Sequence, residues 1–151
     1  MNFDLSAITL SVEQTEEMGT AVARAILDDP SLPRFVALFG DLGVGKTAFV
    51  RGFTQAIAPN ARVKSPTFAL VNEYKGTSCS VFHFDMYRIE DEDELYSIGF
   101  YDYANRNGIC LTEWSENILS SLPDAYIRVE ITKNDGENTD SRLITIKEYP
   151  L

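Results

Sequence analysis

The stretch Gly40-Asp41-Leu42-Gly43-Val44-Gly45-Lys46-Thr47 fits the phosphate-binding pattern G-x-x-x-x-G-K-[ST] at every fixed position. The apolar residues 35–39 precede it and are typical of a buried strand. Apolar residues recur after it at helical spacing: Ala48, Phe49, Phe53 and Ile57. A glycine-rich loop between a strand and a helix lets backbone N–H groups surround an anionic phosphate, to which the helix N-terminus adds partial positive charge. The sequence therefore predicts a nucleotide phosphate-binding loop.

The last two residues of this loop would carry much of its chemistry. We expect Lys46 to reach the β- and γ-phosphates of a nucleotide and the Thr47 hydroxyl to bind Mg²⁺. The alternative is an accidental match in a glycine-rich turn, which the predicted strand and helix on either side disfavour.

Length and composition set the class of protein. The chain has 151 residues, of which 44% are hydrophobic, and this is typical of one folded domain rather than a disordered segment. The first residues do not resemble a signal peptide, and no apolar run approaches the roughly 20 residues that span a bilayer. We therefore expect one cytoplasmic domain over residues 1–151 and no membrane contact. Cys79 and Cys110 each lie in an apolar stretch and are predicted to be buried, reduced thiols without a catalytic role.

The charge balance bears on nucleic-acid binding. The chain carries 23 acidic and 13 basic residues, for a formal net charge of −10, and the basic residues form no stripe. Direct binding to nucleic acid relies on Lys and Arg side chains against phosphates. We therefore expect no direct contact with nucleic acid, so that any role in nucleic-acid metabolism would pass through a protein partner.

An α-helix is predicted before the phosphate loop. Ser11 and Gln14 form a capping box that opens this helix, and Asp29-Pro30 ends it. Its predicted apolar face consists of Met18, Val22, Ala25 and Ile26.

The remaining pattern predicts a mixed sheet. Residues 68–74 and 79–84 indicate two strands of a hairpin around the turn at 75–78. Acidic residues 91–94 are typical of a helix start, and that helix is predicted to continue through Leu95 and Ile98. Three further strands are predicted at residues 108–111, 125–132 and 142–147, the last two around a polar loop at 134–136. The fold class is therefore α/β of the P-loop NTPase type, with a mixed, mostly parallel central sheet and flanking helices.

Two carboxylates follow predicted core strands. Asp85 comes after residues 81–84, and Glu113 comes after residues 109–112. Ligands bind at the carboxyl ends of strands in open α/β sheets. Either acid alone could be an ordinary strand-end residue. Their shared position relative to the phosphate loop favours a role for both in holding metal or orienting water.

Several segments together resemble the bacterial TsaE (YjeE) family in order and approximate spacing. They are GDLGVGKT at 40–47, KSPTF at 64–68, HFDMYR at 83–88, the acidic stretch followed by Ile98-Gly99, and LTEW at 111–114. The resemblance covers nearly the whole chain, and the combination is far more selective than the phosphate loop alone. Family members are small ATPases needed for threonylcarbamoyladenosine formation on tRNA, where the TsaD and TsaB proteins carry the transfer chemistry. The resemblance implies the same role here, with ATP and Mg²⁺ as cofactors and a TsaD–TsaB-type complex as partner.

The resemblance also implies roles for individual residues. It places five loop residues around the phosphates: Gly43, Val44, Gly45, Lys46 and Thr47. It implies that Thr47 and Glu113 bind Mg²⁺, and that Lys46, Asp85 and Glu113 are catalytic. Glu13 would lie near the nucleotide base.

Other residues in the segments that resemble the family have less specific roles. Residues 65–67 would be a switch-like segment, or a plain loop entering a strand. Arg88 would contact phosphate or pair with an acid. Trp114 would be a core or interface residue, or one that senses the site or the partner. His83 is expected to be structural, because it alternates with the core face of its strand.

Rival functions remain open at this stage. Thr132-Lys133-Asn134-Asp135 resembles a relaxed guanine motif, which favours a GTPase switch, but Asp85-Met86-Tyr87-Arg88 lacks the glycine of the usual D-x-x-G. A small-molecule kinase would also fit the chain length, although no cluster of lid arginines is evident. A third possibility is that nucleotide only gates docking. No arginine is evidently placed to act in cis, so slow hydrolysis by the isolated chain is expected.

Overall fold

The computed structural model of the chain describes residues 4–40, 45–66, 70–134, 136 and 138–150. The strands are β1 (Asp4–Thr9), β2 (Phe35–Phe39), β3 (Val71–Lys75), β4 (Ser80–Asp85), β5 (Gly108–Glu113), β6 (Tyr126–Lys133) and β7 (Arg142–Tyr149). The helices are α1 (Val12–Asp28), α2 (Lys46–Ile57), α3 (Glu92–Ser97) and α4 (Phe100–Tyr103), and a 3₁₀ helix covers Ser115–Ser121.

The strands form one seven-stranded mixed sheet in the order β1-β7-β6-β2-β5-β4-β3. The four central strands, β6, β2, β5 and β4, are mutually parallel. The outer strands β3, β7 and β1 each pair antiparallel with their neighbour. This arrangement confirms the predicted fold class, including both hairpins, and places β2 between two parallel neighbours at the centre.

The five residues of β2 are all buried, because both faces of this strand are covered. Successive side chains of a strand point to opposite faces, so Val36 and Leu38 pack with Phe49 and Phe53 of α2 on one side. Phe35, Ala37 and Phe39 pack on the other side in a second cluster. The second cluster also contains Phe84, Leu95, Phe100 and Ile118. The glycine-rich sequence at 40–47 therefore follows a strand that is buried on both faces.

Two glycines set the position of the helix that follows this loop. Gly19 of α1 faces α2, and Gly52 of α2 faces α1. A Cβ atom at Gly19 would collide with the carbonyl oxygen of Phe49, and one at Gly52 would collide with that of Glu16. The two helix backbones therefore touch, and the start of α2 is fixed against α1 as well as against the sheet.

The capping prediction for α1 is confirmed. The Gln14 backbone N–H donates to Ser11 Oγ at 3.1 Å, and the Gln14 side-chain oxygen accepts from the Leu10 N–H at 2.8 Å. The helix ends at Asp28, immediately before the predicted stop.

Some element boundaries differ from those predicted. The first strand of the hairpin begins at Val71 rather than at residue 68, and residues 67–69 lie outside the described ranges. Strand β1 was not predicted, because its largely exposed residues give no apolar alternation. Within the described ranges, no helix combines the length and apolar character needed to cross a bilayer.

Candidate functional site

The site is built around the loop that joins β2 to α2. Gly45 is the N-cap of α2 and has φ +100°, a left-handed conformation that favours glycine. Lys46 and Thr47, which the sequence pattern assigns to the end of the loop, are the first two residues of the helix. The predicted phosphate ligands Gly43 and Val44 lie outside the described residues.

The Lys46 side chain folds back across the base of the loop. Only 5% of this residue is exposed, and its Nζ donates to the Gly40 carbonyl oxygen at 2.7 Å. The same Nζ lies 4.0 Å from the centroid of the Trp114 ring, within the range of a cation–π contact. A buried ammonium needs such partners. Trp114 thus contacts the site directly, which favours the site-sensing interpretation of this residue.

The two predicted acids are the last residues of neighbouring parallel strands. Asp85 of β4 stands opposite Glu113 of β5 in the sheet register. Asp85 Oδ1 accepts from the Tyr87 backbone N–H at 3.0 Å, which fixes the turn after β4. Glu113 Oε2 lies 2.6 Å from His83 Nε2. Because Trp114 follows Glu113 and covers Lys46, the acid pair and the lysine occupy the same edge of the sheet.

The 3₁₀ helix after β5 closes over the start of the loop. Trp114 has φ +57°, and this turn redirects the chain from β5 into the 3₁₀ helix. Glu116 then accepts from the Gly40 backbone N–H at 3.2 Å. Gly40 is therefore held at its N–H by Glu116 and at its carbonyl by Lys46. Sequence patterns did not single out Glu116, because its partner is a backbone group 76 residues away.

Thr47, Glu113 and Asp85 offer oxygen atoms of the kind that Mg²⁺ prefers. Thr47 is exposed, and the Glu113 side chain retains 12% exposure beside Asp85. Hydroxyl and carboxylate oxygens match a hard divalent ion, which proteins usually bind through one or two carboxylates together with substrate phosphates. Among the described residues, no group of three or more His, Cys, Asp and Glu side chains stands together as a ready metal cage.

An arginine that sequence reasoning missed lies beside the N-cap of α2. A Cβ atom built on Gly45 would lie 3.7 Å from Arg142 Nε. Arg142 Nη1 donates to the carbonyl oxygens of Thr139 and Ser141, at 2.7 and 2.9 Å. The guanidinium is thus anchored in the β6–β7 loop against the N-cap of α2. Only the sheet order brings β7 near this loop, so no local sequence signal marks Arg142.

Glu13, which the resemblance places near the nucleotide base, is exposed in the first turn of α1. Asn138 Nδ2 donates to the Leu10 carbonyl oxygen at 3.0 Å, so the β6–β7 loop that anchors Arg142 is tied to the start of the same helix. The role of Glu13 stays a prediction.

The remaining candidates differ in their exposure. Arg88 and Ser65 are exposed, Pro66 is buried, and Thr67 lies outside the described residues. Cys79 and Cys110 are buried free thiols, as predicted. Burial raises the pKa of the Cys110 thiol to about 12, which keeps it protonated and unreactive at neutral pH.

The sheet order and the glycine-rich junction of a central strand with a helix define an α/β protein of the P-loop NTPase type. The sequence model of the family described as "Threonylcarbamoyl adenosine biosynthesis protein TsaE" matches residues 9–144. The chain therefore belongs to the TsaE family.

Individual relatives agree with this assignment. The chain is 48% identical over 100 residues to the Haemophilus influenzae tRNA threonylcarbamoyladenosine biosynthesis protein TsaE, a match that covers 66% of this chain and 63% of that protein. It is 39% identical over 110 residues to the Bacillus subtilis protein of the same name, covering 73% and 66%. The matches thus span slightly less than two thirds of these two relatives. The crystal structure of Bacillus subtilis YdiB superposes with a TM-score of 0.72 and 28% identity, over 97% of this chain and 86% of that one.

Proposed function

We propose that this chain binds Mg²⁺-ATP at the start of α2, hydrolyses it slowly, and thereby supports threonylcarbamoyladenosine modification of tRNA in the cytoplasm through a TsaD–TsaB-type complex. The observation that carries this proposal is the position of Lys46. Its Nζ lies 4.0 Å from the ring of Trp114, the residue that follows Glu113. Glu113 stands opposite Asp85 at the ends of β5 and β4, so the lysine and the two acids face one site. Family membership supplies the link to tRNA modification.

In this proposal each residue has a separate task. Lys46 at the start of α2 binds the β- and γ-phosphates, and Thr47 and Glu113 hold the metal. Mg²⁺, when bound, would neutralise phosphate charge. Asp85 orients the attacking water from the end of β4.

The acidic chain itself is poorly suited to bind tRNA, since its formal net charge is −10. We therefore propose that the partner complex carries the tRNA, and that this chain acts on the complex in a nucleotide-dependent way. The partner would either supply a group that completes the site or order the segment around Ser65 and Pro66.

The test is nucleotide binding and hydrolysis, with ATP and GTP compared, in the presence and absence of a TsaD–TsaB-type complex. Trp114 is the only tryptophan, and its contact with Lys46 makes its fluorescence a direct reporter of binding. We expect ATP to be preferred and its turnover to rise when the complex is added. A preference for GTP would instead favour the alternative that the chain is a GTPase switch. Full turnover by the isolated chain without binding to the complex, or phosphoryl transfer to a metabolite, would favour the kinase alternative.

Arg142 should strengthen nucleotide binding through its position against Gly45. Replacing it by alanine removes a guanidinium anchored by two carbonyl oxygens and should weaken ATP affinity about 10- to 100-fold. Arg142→Lys should recover only part of the loss, because lysine keeps the charge but lacks the planar fork. Arg62→Ala, at an exposed position, is the matched control in a titration calorimetry series. Unchanged affinity in Arg142→Ala would show that this arginine serves only the β6–β7 loop.

A further inference from the structure

His83 makes a contact that the expected structural role does not explain. It lies in β4 with only 2% of its surface exposed, and its Nε2 is 2.6 Å from Glu113 Oε2 on the adjacent strand β5. Such a short contact between a nitrogen and a carboxylate oxygen is typical of a strong, charge-assisted hydrogen bond. Glu113 is the acid that the proposed function assigns to Mg²⁺.

The chemistry of the two groups fixes the direction of this bond. An ionised carboxylate only accepts hydrogen bonds, so the Nε2 atom of His83 carries the hydrogen and donates it. The other ring nitrogen, Nδ1, is buried and has no hydrogen-bond partner among the described residues. A hydrogen on Nδ1 would be a buried donor without an acceptor, which is costly. The geometry therefore assigns to Nε2 a hydrogen that is donated to Glu113.

We propose that His83 is a positioning residue for Glu113, an inference that rests on the proposed function. The imidazole binds Oε2 and thereby fixes the orientation of the carboxylate that would hold Mg²⁺. Buried groups that orient a metal ligand in this way contribute about 10- to 100-fold to metal affinity. In the parallel pairing of β4 with β5, Glu113 stands opposite Asp85, and His83, two residues before Asp85 on the same face of β4, reaches Glu113 diagonally.

The experiment measures Mg²⁺ dependence rather than activity alone. Affinity for a non-hydrolysable ATP analogue is determined with excess chelator and then with increasing Mg²⁺, for the unsubstituted protein, His83→Leu and His83→Gln. We expect His83→Leu to raise the Mg²⁺ concentration for half-maximal effect about 10- to 100-fold, with little change in the metal-free affinity. His83→Gln, whose amide N–H can reach the same place, should recover most of the response. Phe82→Leu is the control for a loss of packing in the same strand.

The outcomes separate the positioning role from the proposed function. An unchanged Mg²⁺ response in a folded His83→Leu variant, or equal losses in the Leu and Gln variants, would overturn the positioning role alone. If the unsubstituted protein shows no Mg²⁺-dependent nucleotide binding, the proposed function fails, and the positioning role fails with it.

A second measurement needs no substitution, and it tests the hydrogen bond from His83 to Glu113 even if His83→Leu does not fold. Nitrogen NMR of the only histidine in the unsubstituted, metal-free protein should show the hydrogen on Nε2. A hydrogen on Nδ1 with a bare Nε2 would contradict the proposal.

Discussion

Replacing Lys46 by alanine should lower ATP hydrolysis by at least about a hundredfold, because the ammonium would act on the β- and γ-phosphates where charge develops. Each charge-assisted hydrogen bond lost from such a group costs about 1.5–3 kcal/mol, or roughly 10- to 150-fold. Lys46 is buried and already directed to Gly40 at the base of the loop, so little side-chain entropy would be lost when it takes a phosphate. Steady-state phosphate release measures the effect.

The control is Lys75→Ala, since Lys75 is exposed at the end of β3. It should hydrolyse ATP at the unsubstituted rate, and a thermal melt should show that Lys46→Ala remains folded. Thr47→Ala should also lose hydrolysis, through the metal. Unchanged hydrolysis in both Lys46→Ala and Thr47→Ala would remove the phosphate-loop assignment altogether.

The sequence predicts those parts of the site that depend on local pattern. Five consecutive apolar residues predict β2 as a buried strand, and the glycine pattern after it predicts a loop that joins this strand to a helix; the structure begins that helix at Lys46. The rule that ligands bind at the carboxyl ends of strands brings Asp85 and Glu113 together before any coordinates are known, and the sheet register confirms their adjacency.

The parts that sequence reasoning missed depend on long-range pairing. Arg142 reaches Gly45 only because β7 lies two strands from β2 in the sheet order. Glu116 meets Gly40 only because the left-handed turn at Trp114 sends the chain back over the loop. His83 looks structural in the sequence because it alternates correctly for a core strand, and its partner is visible only once β4 pairs with β5.

The contact between Trp114 and Lys46 connects the end of β5, where Glu113 lies, to the start of α2. A phosphate that draws the ammonium away from Gly40 would also change its contact with the Trp114 ring. Trp114 is the N-cap of the 3₁₀ helix, and its ring lies at a tilt against Tyr87, with 5.0 Å between the ring centroids. Tyr87 lies directly after the turn that Asp85 fixes. A change at the lysine would therefore reach an exposed surface beside the site, where a partner could read it.

Replacing the two acids should have unequal effects. Glu113→Gln removes the charge proposed to hold the metal and should lower turnover by at least about a hundredfold. Asp85→Asn should lower turnover less, because the asparagine oxygen can still accept from the Tyr87 N–H and preserve the turn. Both variants should keep ATP affinity within about tenfold, since neither substitution alters the residues proposed to bind the phosphates. Turnover and Mg²⁺ dependence, measured in parallel, check these expectations.

Matched controls for these two substitutions are available at exposed positions. Glu90→Gln and Asp93→Asn make the same chemical changes away from the site and should leave turnover unchanged. Two losses of equal size in Glu113→Gln and Asp85→Asn would mean that the acids act as one unit rather than in separate roles. If neither substitution alters the rate or the Mg²⁺ dependence, the strand-end carboxylates are structural, because a residue that holds metal or water during hydrolysis cannot lose its charge without changing both.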